Sequence, residues 1–120
     1  MLEQVIRLTV NMTVREGKLD AFKGIAQSMT EGSQLEPGTL GYEWFASNDG
    51  KSFRLVETYE DAAAVEAHFT GQVVQKYVPQ LAAMCKVDGF EIYGDPGPKV
   101  AAMAAAFGAS VFPYWLGINR

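Results

Sequence analysis

The sequence has one cysteine, Cys85, and one histidine, His68. A lone cysteine excludes an internal disulfide and a thiolate metal cluster. A lone histidine with no second ligand near it leaves nothing from which to build a usual zinc or non-haem iron site, so no metal is expected. Apolar runs are short. The longest, around Ala101 to Phe107, cannot cross a bilayer. Glu3 and Arg7 interrupt the N-terminus and no apolar core follows, which reads as the absence of a signal peptide and a cytoplasmic protein. Excess positive charge is also missing. A formal net charge of −4 argues against a nucleic-acid partner or an anionic membrane. Gly-rich phosphate loops, dinucleotide fingerprints and paired nucleophiles are absent as well.

What remains is an ordinary globular composition of 120 residues, 48% apolar and 20% charged, which fits one domain. Along residues 4–13, Ile6, Leu8, Val10 and Met12 alternate with Arg7, Thr9, Asn11 and Thr13, the period of a strand. Leu19, Phe22, Ile25, Ala26 and Met29 recur at helical spacing, predicting a helix over 18–31 that closes near Gly32. Glu36-Pro37-Gly38 reads as a turn, with proline presetting φ and glycine accepting a positive one. An aromatic-rich strand follows over 41–47, then Asn48-Asp49-Gly50 as a type I′ hairpin turn, then a strand over 52–59. Asp61 is placed to cap a second helix carrying Ala62, Val65 and Phe69, and Pro79 predicts a kink or a fresh start after Gly71. A last strand is expected over 86–93, with Phe90 and Ile92 inward.

The order β-α-β-β-α-β is that of an α+β, ferredoxin-like fold with a four-stranded antiparallel sheet. Residues 1–94 form this domain, and residues 95–120 are expected to form a C-terminal helical extension. Val100, Met103, Ala104 and Phe107 give that extension its helical spacing, with Gly108 placed to end it. The apolar run Val111 to Leu116 is expected to pack on its own domain or on a neighbouring subunit, either as a clasp or as a lid over a pocket.

Glu36-Pro-Gly-Thr-Leu-Gly-Tyr-Glu-Trp-Phe, the Asn-Asp-Gly turn, and Phe53-Arg-Leu-Val-Glu-Thr-Tyr-Glu-Asp-Ala-Ala-Ala-Val-Glu-Ala-His-Phe together resemble the central signature of the antibiotic biosynthesis monooxygenase family. The resemblance spans about residues 4–93 and implies a homodimeric α/β barrel, with the sheets of two subunits back to back. It implies an activity too: oxidation of a small aromatic phenol or quinol by dioxygen without flavin, haem or metal, the protein supplying a pocket, a base and hydrogen bonds to an oxyanion. Asn11 matches a position where enzymes of the family carry a substrate-facing asparagine, and His68 matches a histidine written after the second helix. Tyr59 stands where many relatives carry tryptophan.

The polar row Arg7, Thr9, Asn11 and Thr13 lies on a strand that should be covered on both faces, which points to a water-containing cavity between sheet and helices, to a polar network inside a dry dimer, or to a strand nearer the sheet edge. Glu57, among apolar neighbours, would have a raised pKa suited to a base near neutrality, or else would pair with Arg7 or anchor a helix end. The candidates are therefore Asn11, Glu57 and His68 as catalytic groups, with Trp44, Tyr59, Phe22 and Tyr77 around the substrate; aromatics in a central hairpin are more often simply core. A non-enzymatic binding or sensing dimer is the alternative. Haem binding is weaker, because Gln75-Lys76-Tyr77-Val78-Pro79 supplies no histidine.

Overall fold

The structure is a computed structural model, and it describes residues 5–120. Strand β1 (Ile6–Val14) is followed by α1 (Leu19–Gln34), β2 (Thr39–Ala46), β3 (Ser52–Tyr59) and α2 (Ala62–Thr70). A π-helical segment, Val73–Tyr77, leads into α3 (Val78–Met84), then β4 (Cys85–Tyr93), α4 (Gly97–Ala105) and β5 (Ser110–Phe112). The expected start of the first strand at Gln4 lies outside the described residues.

The ferredoxin-like architecture is present, with β1 between β3 and β4 and antiparallel to both. The sheet order is β2-β3-β1-β4-β5. The fifth strand was not anticipated: it pairs parallel to β4, setting Ile92 opposite Val111. The extension is thus a helix and an edge strand. Val100 and Ala104 of α4 are buried, and the helix ends where Ala109 N donates to Ala104 O and Gly108 N to Ala105 O, a Schellman motif with Gly108 at φ 79°. Beyond β5 the expected packing of the apolar run fails at its end. Trp115 and Leu116 are 88% and 77% exposed.

Three local expectations need correction. Helix α1 runs through Gly32, because this glycine lets the helix approach the π-helical segment: a Cβ there would stand 2.8 Å from Val73 Cγ2. The 48–50 turn is not type I′, since that geometry needs positive φ at both central residues and no described residue other than glycine has it. The Glu36 turn closes through Thr39 N to Glu36 O at 3.2 Å, but Gly38 has no positive φ. Its smallness matters instead, as a Cβ on Gly38 would lie 2.5 Å from Ala64 Cβ. The Glu36 loop therefore seats directly on α2. Gly38→Ala is expected to destabilise the domain by about 1–3 kcal/mol through overpacking, read from urea unfolding midpoints.

The sheet buries one face in two half-cores. Ile6, Leu8, Tyr59 and Ile92 pack with Val65 and Phe69 of α2 and with Val100 of α4. Met12, Phe53 and Leu55 pack with Phe22 and Met29 of α1, Val73 and Leu81. The opposite row turns the other way: Arg7 and Thr13 are exposed, and Thr9 and Asn11 half-buried.

Candidate active site

Between the two half-cores lies a cavity of about 300 Å³. Leu8, Met12 and Leu55 form its floor on the sheet, and Met29, Phe69, Val74, Val78 and Leu81 its helical walls. The π-helical segment contributes Val74 and Gln75, and a single π turn placed beside a cavity is a common feature of functional sites. Gln75 is held by its Nε2 donating to Phe69 O at 2.9 Å.

Apart from Gln75 the lining is apolar except where Glu57, His68 and the Tyr42 ring meet. Glu57 faces the helices because strand alternation places it with Leu55 and Tyr59, away from Arg7 on the opposite face, so the anticipated Arg7 pair does not form. Glu57 is 5% exposed, and its Oε1 accepts from the Tyr59 hydroxyl at 2.5 Å. His68 is 2% exposed. Its Nε2 stands 3.6 Å from Glu57 Oε1, a separation too long for a hydrogen bond. Its Nδ1 lies 2.7 Å from Glu36 Oε1, which also accepts from Thr39 Oγ1 at 2.8 Å. The cluster thus runs Tyr59, Glu57, His68, Glu36. The two carboxylates flank opposite ring nitrogens, so a single metal ion could not meet all three side chains.

Burial raises the Glu57 carboxyl above its ordinary value, against the opposing pull of His68 and the Tyr59 hydrogen bond. Burial and the neighbouring Glu57 push the Tyr59 and Tyr42 phenols up too, so both stay protonated as donors. Tyr59→Phe removes the donor that favours ionised Glu57. It is expected to cost about 1–3 kcal/mol in unfolding free energy and to move any activity that needs the Glu57 carboxylate to higher pH, read from paired denaturation and pH–rate curves.

The structure gathers Glu57, His68 and Tyr59 and separates the other sequence candidates from them. Asn11 lies on the opposite face of the sheet, packed over Gly89, because the alternation that turns Met12 inward turns Asn11 outward. The cavity adjoins the apolar row of β1, not the polar row. Phe22 is fully buried in the second half-core. Trp44 packs edge-on to Phe22 at 5.9 Å and donates from Nε1 to Thr30 Oγ1 at 2.8 Å. Tyr77 packs against the same half-core under Lys76, whose Nζ is 5.2 Å from the ring centroid. None of Asn11, Phe22, Trp44 and Tyr77 lines the cavity, and Tyr59, expected beside the substrate, is fully buried behind Glu57 and does not line it either. Glu36 and Gln75 were not anticipated; no pattern in the sequence pairs a loop carboxylate with a histidine 32 residues away.

The sequence profile of the antibiotic biosynthesis monooxygenase family matches residues 5–80. The chain belongs to this family. The match runs from β1 into the first turn of α3, a stretch that includes Glu36, Glu57, Tyr59 and His68. No curated protein sequence matches the chain. Among solved structures, MupZ from Pseudomonas fluorescens is similar with a TM-score of 0.84 and 19% identity, over 98% of this chain and 95% of that one. A conserved protein from Bacteroides thetaiotaomicron, described as a possible oxidoreductase, gives 0.69 and 25% over 75% and 96%. SnoaB from Streptomyces nogalater, described as a cofactor-independent oxygenase and solved as its N63A mutant, gives 0.68 and 13% over 78% and 95%. The likeness to MupZ extends into α4 and β5, outside the family profile; at these identities MupZ and SnoaB speak to the fold alone.

Proposed function

We propose that this family member is a monooxygenase-like enzyme that takes a small aromatic phenol or quinol into the cavity, hydroxyl end toward Glu57 and His68, and oxidises it with dioxygen without a cofactor. The observation that carries the reading is the apolar cavity closed at one end by a buried carboxyl and an imidazole. SnoaB, a cofactor-independent oxygenase of the same fold, supports it. Glu57, with its raised pKa, takes the hydroxyl proton and leaves an electron-rich phenolate. The phenolate adds dioxygen at a ring carbon, and Glu57 returns its proton to the terminal oxygen. A second base removes the hydrogen of that carbon, the O–O bond breaks, and a quinone and water result. Oxygen is reduced wholly by the substrate.

The protein is further proposed to act as a homodimer joined through the sheet face that its own helices leave open, where Val56, Thr9 and Asn11 are half-buried and Phe45 is 52% exposed. Oxygen uptake with a panel of phenols and quinols, without added cofactor, tests the activity. Consumption of oxygen with quinone formation supports it, and its absence across the panel rejects it. A second reading, a dioxygen-independent isomerisation, is favoured by one feature: a carboxyl and an imidazole, Glu57 and His68, stand 3.6 Å apart at the same end of the cavity. Turnover under anaerobic conditions would select it.

A further inference from the structure

We propose that Glu36 is the positioning residue that makes His68 the second base of this site, by taking the Nδ1 hydrogen and leaving the Nε2 lone pair turned to the cavity. This role rests on the cavity being the reaction site. A neutral imidazole has one N–H donor and one acceptor nitrogen, and the hydrogen bond at one nitrogen decides the other. At Nδ1 the partner is Glu36 Oε1 at 2.7 Å, and a carboxylate can only accept, so the hydrogen sits on Nδ1. At Nε2 the nearest charged group among the described residues is Glu57 Oε1 at 3.6 Å, too long for a hydrogen bond, so no acceptor holds a hydrogen on that nitrogen.

The groups around the ring all belong to this arrangement. Tyr42 of β2 and Tyr59 of β3 lie with ring centroids 5.6 and 5.3 Å from the imidazole, Glu57 of β3 faces Nε2, and Phe69 of α2 itself closes a further side at 6.4 Å. Glu36 is held in turn. Thr39 Oγ1 donates to the same Oε1 at 2.8 Å, and the close seating of Gly38 on Ala64 carries the loop against α2. A carboxylate fixed behind an imidazole in this way orients the ring and stabilises the imidazolium that forms when Nε2 takes a proton.

The protons then balance. The hydroxyl proton goes to Glu57 and on to the terminal oxygen of the adduct. The ring-carbon proton goes to His68 Nε2 as the C=O bond forms and hydroxide departs, and His68 returns it to that hydroxide as water. Glu36 keeps its charge throughout.

Because His68 is the sole histidine, a 15N-edited proton spectrum reports its ring without ambiguity. The wild type should show the Nδ1–H tautomer. Glu36→Gln retains an acceptor oxygen and should keep that tautomer, while Glu36→Ala should lose it. Both variants should lower kcat, by about tenfold or more for Glu36→Ala, with KM little changed, since only the transition state carries the imidazolium charge. An Nε2–H tautomer in the wild type, or an unaltered ring spectrum in Glu36→Ala, would overturn the proposal. The spectrum needs no substrate. A wild type with the Nδ1–H tautomer and no turnover would therefore overturn the reaction assigned to the cavity and uphold the Glu36–His68 arrangement.

Discussion

Glu57→Gln is expected to lower turnover by about 10²–10⁴-fold, the contribution of a well-placed acid–base group, and to make the folded protein more stable at neutral pH. The two effects share one cause. In the folded chain burial raises the carboxyl above its ordinary 4.5, so the native state binds this proton more tightly than the unfolded chain does. The stabilising effect of that tighter binding is fully present below the ordinary value. It is lost progressively as pH rises from there through the folded value. Glutamine has no proton to lose and can still accept from Tyr59, so the variant should lack this alkaline loss. Urea unfolding at pH 4 and pH 7, beside steady-state rates, checks both limbs. A stability difference independent of pH, or a rate within a few-fold of wild type, would refute the assignment.

Phe22→Ala is expected to cost about 3–5 kcal/mol of stability, as for large aromatic deletions in tight cores. That is a large share of the roughly 5–15 kcal/mol that holds a domain of this kind folded. The ring is fully buried, edge-on to Trp44 and 4.8 Å from Phe53 by centroids. Its neighbours belong to the half-core under α1, and it does not line the cavity. Turnover per folded molecule and KM should change little, while the urea midpoint falls sharply. The reverse pattern, an unchanged midpoint with a raised KM, would return Phe22 to the substrate.

The two predictions separate what the sequence made legible from what it did not. Alternation along residues 6–13 and 52–59 placed two strands, and Asp61 capped α2 as expected, its side chain accepting from Ala64 N at 2.8 Å. Alternation also put Glu57 on the face of Phe53, Leu55 and Tyr59, where the structure has it. What periodicity cannot say is which face of a central strand meets a cavity. The polar row of β1 calls for a cavity or a polar network, yet all four helices cover the apolar row, and Asn11 lies on the open face. Strand β5 is three residues long, too short for a period to show, and its parallel pairing depends on α4. Glu36 was hidden for a different reason. As a turn residue its position is local, but its contact with His68 follows from how closely Gly38 meets α2, which no local pattern encodes.

Where a ligand binds decides the account most directly. Titration with 1-naphthol, followed by methyl resonances, distinguishes the two faces of the sheet. Shifts concentrated at Leu8, Val10, Leu55, Val74, Val78 and Leu81, with Thr9 and Thr13 unmoved, are the expected result. Shifts at Thr9 and Thr13 with the cavity methyls silent would place the ligand on the open face and contradict it.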